Sequence, residues 1–407
     1  MLTPQLAIEP VVSGERIGVA LAGGGPLGAF YKLGALHALA ESIEGLDLTR
    51  LHAYVGVSSG SMIAAGLANG ITPVDMGRVV INNESGEFPA DPSIFLHPAY
   101  REFGRRVGRL PRLVLRALGY YARAPLARNL AEVLDPLLAA LPTGLFDGEP
   151  LERFMRHLLS THGRTNDFRS LDRRLYIVAT DLNTGEAARF GEPGRDHVPI
   201  SRAIQASTAL PGLYPPVEID GHKYVDGALL RTMHASLVLE AGAQLVFCLN
   251  PLVAYDASGG GTHHAHRDLT DSGLTVVLSQ TFRSLIQSRM MVGMSGYRDR
   301  YPHADILLFE PDRDDERMFF ANVFRYSDRR RLVDHAYQRT RQDLRRHARQ
   351  LAPVLERHGL RLSAKALRDP QRSFHRAIEE QRIRNSGVGR RLLRVLGRLE
   401  TLIERRA

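Results

Sequence analysis

The sequence predicts an α/β protein built on a parallel-rich sheet, and three observations carry that prediction. Arg16 to Ala22 is a short apolar run that feeds a glycine cluster and then a helical pattern, Tyr31 to Ala40. His52 to Val57 is a second apolar run, followed by a sharp small-residue turn and the helical stretch Ser61 to Asn69. Leu175 to Leu182 repeats the strand pattern and ends in a turn at Asn183-Thr-Gly185. Short apolar strands separated by helical periodicity are the signature of parallel strands joined by crossovers.

Further along, Ile200 to Ala209 reads as a helix that leads into the loop Leu210-Pro-Gly-Leu-Tyr-Pro-Pro216. Val217 to Val225 reads as a hairpin, and Gln244 to Leu249 as a strand. Residues 85–145 differ in character. Arg alternates there with Leu, Val and Tyr at roughly helical spacing, and Pro111, Pro125 and Pro136 break the pattern into pieces. Between Arg101 and Arg128 there are eight Arg and a single acid, Glu102, so this stretch is expected to be a helical insert. Residues 256–268 read as a loop. Beyond Phe324 the chain is helical and Arg-rich, with a possible linker near Ser363 and an amphipathic basic tail from Arg390 to Arg406. The expected division is a catalytic-type domain over 1–350 and a basic helical extension over 351–407.

With 407 residues and 44% hydrophobic composition, the chain can bury one large core or two smaller ones. The charged fraction of 24% excludes a disordered chain. A lone cysteine, Cys248, excludes an internal disulfide and a cysteine-based zinc site, and its apolar surroundings read as a buried strand. Met1 to Arg16 lacks the basic and apolar regions of a signal peptide. No stretch approaches the ~18 uninterrupted apolar residues of a spanning helix. The expected location is cytoplasmic, with room for peripheral attachment to a membrane. The net charge of +9, carried by many Arg and very few Lys, favours anionic partners without choosing among them.

Two glycine motifs bear on chemistry. Gly23, Gly25 and Gly28 fit G-x-G-x-x-G, which serves a dinucleotide fold or any chemistry that needs backbone N–H groups aimed at negative charge. Gly56-Val-Ser58-Ser-Gly60 is G-x-S-x-G between a strand and a helix, the setting of a nucleophile elbow. Glycines two before and two after the serine let strand and helix backbones pass closely. A nucleophilic serine needs a base. His222, His234, His263, His264, His266, His303 and His335 all lie downstream, and none is singled out by its neighbours. His263, His264 and His266 form a cluster with no evident fourth metal ligand. Asp226, in Tyr224-Val-Asp-Gly-Ala228, is a candidate acid that could equally be an Asp-Gly turn.

Taken together, GGGPLG (23–28), GVSSG (56–60) and DGA (226–228), in that order, resemble the patatin-like phospholipases. Residues 179–190 and 202–230 are similar to that family's core segments, and the resemblance runs from about residue 15 to 250 with the Arg-rich insert interrupting it. It implies a three-layer α/β sandwich and a Ser–Asp dyad without a catalytic histidine. Ser58 would be the nucleophile and Asp226 its base. Gly23, Gly24, Gly25 and Gly28 would form the oxyanion loop, with N–H donors from Gly24 and Gly25, and Gly56 and Gly60 would shape the elbow. No metal or cofactor is implied. Three departures stand out. Leu27 occupies a position where the family often carries Arg, so no side-chain charge is expected to reinforce the loop. Ala228 replaces a glycine, and Thr232-Met-His234 replaces an Asn-x-Pro.

The dinucleotide reading needs an acid about 20 residues past the glycines at a strand end. Asp47 has the distance, but its neighbourhood is short and polar. Aromatic interleaving for base stacking is confined to Tyr120-Tyr121, so nucleic acid is not an expected partner. The reading is therefore a lipid acyl-ester hydrolase of phospholipase A or lysophospholipase type. Its substrate would be a lipid ester, and residues 101–128 would be a candidate lid or anchor on an anionic membrane surface. The alternatives are a Ser–His–Asp carboxylesterase or triacylglycerol lipase, and a non-enzymatic membrane-surface binding protein. The sequence leaves headgroup preference and oligomeric state open.

Overall fold

A computed structural model describes residues 1–8, 16–82, 92–109, 111–115, 141–258, 269–320 and 326–385. Nine of its strands form one sheet. They are β1 (Leu2–Gln5), β2 (Ile17–Leu21), β4 (Ala53–Val57), β5 (Arg174–Asp181), β6 (Ala187–Phe190), β7 (Val217–Ile219), β8 (His222–Asp226), β9 (Leu245–Leu249) and β10 (Asp305–Phe309). The strand β3 (Ile43–Glu44) pairs apart from them with β11 (Arg361–Leu362). The order is β1-β10-β9-β2-β4-β5-β8-β7, with β6 also on β5. Strands β10, β9, β2, β4 and β5 run parallel, and β1, β6 and β8 pair antiparallel to their neighbours. This is the parallel-rich sheet that the sequence predicts.

The layers follow from alternation along the central strands. Val19 and Leu21, Tyr54, Leu245 and Phe247, and Leu307 and Phe309 face one core. Ala20, Val55 and Val57, Val246 and Cys248, and Ile306 and Leu308 face the other. A strand buried on both faces needs helices on both sides. The first face is covered by α1 (Gly25–Ser42), α2 (Ser59–Ala68) and the helix Tyr326–Arg346, which packs along α1. The second is covered by the helix Ala235–Glu240 and by Met290 and Met294 of the helix Leu274–Arg300. Helices, sheet and helices make the three layers.

Among the strands that lay outside the sequence reading are β1 and β10. β1 is polar in alternation and lies on the sheet edge, and β10 follows a long helix with no glycine punctuation. The hairpin expected at 217–225 is present as β7 and β8. Its two-residue turn, Asp220-Gly221, has φ of 51° and 80°, the positive pair a tight type I′ turn requires. Position 351 falls inside the helix Ala348–Arg357. Beyond it, His358 and Arg357 bond the buried Asp305, and Phe374 is buried in the main core, so residues 351–385 pack on the sheet domain. The tail Arg390–Arg406 and most of the Arg-rich insert lie outside the described residues. What is described of the insert includes the helix Tyr100–Val107, whose buried Glu102 bonds Arg105, Arg106 and Thr143.

Candidate active site

Ser58 lies in the sharp turn between β4 and α2. Ser58 follows the last residue of β4 and caps α2, with φ of 52° and ψ of −126°. That left-handed value is costly for a non-glycine residue and persists only where the surroundings enforce it. The crowding behind it is measurable. A methyl group on Gly60 would lie 2.2 Å from the Leu21 carbonyl oxygen, and one on Gly56 would lie 2.5 Å from the Gly60 oxygen. The strand, the turn and the neighbouring β2 are therefore packed at glycine distance. The Ser58 N–H donates to Ser207 Oγ at 2.8 Å, and Ser207 in turn donates to the Val178 carbonyl at 2.6 Å.

The sheet itself brings Asp226 to Ser58. On β5, β6 lines one edge over residues 177–180, while β4 pairs with the other edge only as far as Val57 opposite Val178. β8 takes up that second edge at the next position, with Asp226 opposite Ala179. Two strands of opposite direction thus meet end to end on one edge, and their last residues are followed or formed by Ser58 and Asp226. The Ser58 hydroxyl acts on the Asp226 carboxylate and pulls its pKa down. The carboxylate accepts the Ala228 N–H at 2.8 Å, and the Asp226 backbone N–H donates to the Ala209 carbonyl at 2.9 Å. Asp226 is 3% exposed. Burial pushes its pKa up to about 6, against the opposing pull of the Ser58 hydroxyl, the Ala228 N–H and the Lys32 charge.

The glycine loop sits against both. A methyl group on Gly23 would lie 2.9 Å from the Ala228 Cβ and 3.3 Å from the Ser58 Cβ. The four loop glycines divide by hydrogen bonding. The Gly23 N–H donates to the Thr232 carbonyl at 3.2 Å and the Gly28 N–H to the Gly24 carbonyl at 2.9 Å, so neither is free to serve as an oxyanion donor. The N–H groups of Gly24 and Gly25 have no acceptor among the described residues. Both residues have positive φ, 139° and 58°, which turns their amides away from the strand just before α1 begins. Pro26 follows with no N–H to offer. The N-termini of α1 and α2 converge here, adding two positive dipole ends to the same place.

The departures from the family pattern resolve locally. Ala228 is not among the residues with positive φ, and it lies in a 3₁₀ turn, so a Cβ is accommodated. Thr232 supplies the carbonyl that anchors Gly23, and His234 takes a left-handed conformation at the start of the helix Ala235–Glu240. Leu27 packs against the main core. The expectation that no side-chain charge reinforces the loop is corrected by Lys32. This residue is fully buried on α1, and its Nζ donates to the Ala22 carbonyl, to Ser59 Oγ at 2.9 Å and to the Gly23 carbonyl at 3.4 Å.

Among the described histidines, none hydrogen-bonds Ser58 or Asp226. His222 Nδ1 bonds Asp181 at 2.8 Å, and His335 Nε2 bonds Asp315 at 2.6 Å. His303 is exposed. His234 is buried, its Nε2 has no partner among the described residues, and burial pushes its pKa down to about 3. His263, His264 and His266 lie outside the described residues. Among those residues, no group of three His, Cys, Asp or Glu could hold a metal ion. Asp47 is tied to Thr49 in a turn, away from a dinucleotide acid's place at a strand end. The described residues include no helix long and apolar enough to cross a membrane.

Ser207 and Lys32 were not among the residues the sequence marked, and Thr232 entered only as part of a departure from the family pattern. Ser207 and Thr232 act through backbone groups that only the folded chain brings near. Lys32 had a faint signal, a lysine on the apolar face of a helix in a chain that otherwise uses arginine.

Comparison with known proteins follows the same lines. The model of the patatin-like phospholipase family matches residues 19–239. An uncharacterised NTE family protein of Mycobacterium tuberculosis is 26% identical over 131 residues, which cover 32% of this chain and 33% of the relative. An uncharacterised protein of Acanthamoeba polyphaga mimivirus is 22% identical over 212 residues, covering 51% of this chain and 57% of the relative. The matches thus span about a third and somewhat over half of these relatives' lengths. Among solved structures, VipD from Legionella pneumophila superposes with a TM-score of 0.36 at 18% identity, over 84% of this chain and 71% of that one. ExoU from the type III secretion system of Pseudomonas aeruginosa, solved with SpcU, gives 0.24 at 15% identity, over 95% and 71%.

Proposed function

The chain belongs to the patatin-like phospholipase family, and from that premise we propose that it is a serine hydrolase that cleaves acyl esters of lipids through Ser58 and Asp226. The observation that carries the proposal is the meeting of a strained Ser58 with a buried Asp226 carboxylate beside two unsatisfied glycine N–H groups. In this scheme Asp226 takes the hydroxyl proton as Ser58 Oγ attacks the ester carbonyl carbon. The carbonyl oxygen, now negative, faces the N–H groups of Gly24 and Gly25. Collapse of the tetrahedral intermediate breaks the bond to the alcohol, which leaves with the proton from Asp226. Water then attacks the acyl-enzyme, giving its proton to Asp226. The acid departs, and the proton returns to Ser58.

A free aspartate with a pKa near 3.9 is a weak base for this work. Burial raises Asp226 to about 6, where it is still ionised at neutral pH yet accepts a proton more readily. The lipid is met at an interface in this reading. Around the helix Tyr100–Val107 the side chains of Tyr100, Val107, Val114 and Leu115 are exposed beside Arg101, Arg105, Arg109 and Arg112, which suits an anionic bilayer surface.

Labelling of the full chain with a fluorophosphonate probe tests the assignment. Wild type and His234→Ala are expected to label and to hydrolyse a lipid ester. Ser58→Ala is expected to lose labelling, and Asp226→Asn to lose hydrolysis by about 10³-fold or more. Labelling that persists in Ser58→Ala overturns the nucleophile. Activity lost in His234→Ala but kept in Asp226→Asn overturns the dyad in favour of a serine–histidine triad.

A further inference from the structure

Lys32 is the one fully buried lysine of a chain with three, and the other two, Lys223 and Lys365, are exposed. Its position is unusual for its chemistry. It stands two turns into α1, inside the run from Phe30 to Leu39 that is buried without a break, where apolar residues are the rule. Side chains on a helix lean toward its N-terminus, so the ammonium reaches back to the loop that precedes α1.

Three acceptors surround Nζ, and each belongs to a different part of the site or its support. The Ala22 carbonyl follows the end of β2, the Gly23 carbonyl begins the glycine loop, and Ser59 Oγ adjoins the nucleophile at the first residue of α2. Asp226 is the charged group that acts on Lys32, and Lys32 is the charged group that acts on Asp226. An ammonium offers three donors from one compact charge, which matches three acceptors arranged around a point. The planar fork of a guanidinium does not. In a chain with 50 Arg the retention of lysine at this position follows from that geometry.

We propose that Lys32 is a positioning residue of the hydrolytic site, which clamps the glycine loop to the nucleophile elbow and supplies the buried positive charge that keeps Asp226 ionised. The proposal rests on the Ser58–Asp226 reading above. Holding the Ala22 and Gly23 carbonyls from beneath fixes the peptide planes that lead into Gly24 and Gly25, whose N–H groups must point at the reacting oxygen. The cation also offsets the cost of burying a carboxylate, since an opposite charge nearby favours the ionised form. It stands in the role left vacant by Leu27, from below the loop and through the backbone.

The test uses the full chain with Lys32→Met, which removes donors and charge, and Lys32→Gln, which keeps donors without charge. Both are read by the pH profile of kcat/KM on a soluble ester and by the rate of Ser58 labelling. Lys32→Met is expected to lower kcat/KM by about 10²-fold, the scale of a misplaced oxyanion donor. Both variants are expected to move the acid limb upward by about one pH unit. Lys32→Gln is expected to recover part of the rate while keeping the displaced limb, which a merely structural role does not produce. A second measurement needs no Lys32 variant. With three lysines, selective isotope labelling gives three NMR signals, and the buried one is expected to titrate near 7 and to fall further in Asp226→Asn. Wild type that labels at Ser58, with an unmoved limb in both variants or a buried-lysine signal indifferent to Asp226→Asn, overturns the role of Lys32 alone. Wild type that fails to label at Ser58 overturns the dyad reading, and this one with it.

Discussion

Ser207 Oγ accepts the Ser58 N–H at 2.8 Å and donates to the Val178 carbonyl at 2.6 Å, so a single hydroxyl joins the nucleophile's backbone to the middle of the neighbouring strand. The bond spends the Ser58 amide on structure, so in the proposed reaction oxyanion binding falls to the glycine loop. It also accounts for how a serine is kept at φ of 52°. Ser207→Ala leaves a buried N–H and a buried carbonyl without their partner, at a cost of about 1–3 kcal/mol. The expected outcome is a lower thermal midpoint together with a reduced labelling rate at Ser58. Unchanged values of both would show that the elbow is held by packing alone.

The pH dependence follows from Asp226. In the proposed dyad the group serves as a base only when ionised, and burial pushes its pKa up to about 6. Below that value kcat/KM is expected to fall about tenfold per pH unit as the carboxylate takes up a proton, and above it the limb levels off. An exposed aspartate would place the same limb near 3.9. The profile of His234→Ala is expected to overlay the wild type near pH 6, because His234, with a pKa of about 3, is already neutral there.

Two glycines make a paired comparison. At Gly60 an added methyl group meets the Leu21 carbonyl oxygen at 2.2 Å, so Gly60→Ala forces β2 and α2 apart. The expected cost is about 1–3 kcal/mol, with loss of hydrolysis. At Gly25 the same methyl group meets nothing within 4 Å, and only the φ of 58° opposes it. Gly25→Ala is expected to cost about 1 kcal/mol in stability, while lowering kcat more than KM as its amide tilts. Thermal unfolding read beside steady-state kinetics separates the two.

Membrane docking has its own test. Replacing Tyr100, Val107 and Leu115 together by Ser is expected to weaken binding to vesicles containing phosphatidylserine and to leave hydrolysis of a soluble ester within about threefold, since none of the three adjoins Ser58. Vesicle binding that is unchanged would remove this face from consideration.

Local turns were more legible in the sequence than contacts between distant segments. G-x-S-x-G between strand and helix is a local steric pattern, and the close approaches at Gly56 and Gly60 are what that pattern encodes. The hairpin 217–225 was equally local, fixed by Asp220-Gly221. What escaped was whatever depends on distant partners. β10 is recognisable only beside β9, and β1 only against β10. The assignment of Gly23 and Gly28 to structural bonds depends on Thr232 and on the helix that follows, not on the spacing of glycines. Lys32 becomes intelligible only once the fold sets Ala22, Gly23 and Ser59 around its ammonium.

The end-to-end meeting of β4 and β8 along one edge of β5 turns the position of the carboxylate into a matter of counting. β8 has five residues between its tight turn and the end of its pairing, and each added or removed residue turns its side chains to the opposite face of the sheet. A residue added at the Asp220-Gly221 tip lies outside the pairing with β5 and is expected to leave the site unchanged, whereas one inserted between Tyr224 and Asp226 is expected to turn the carboxylate to the opposite face. Natural variation in relatives of this chain should therefore collect in the turn and spare the interval from His222 to Asp226. A short strand serves here as a gauge whose length is part of the chemistry.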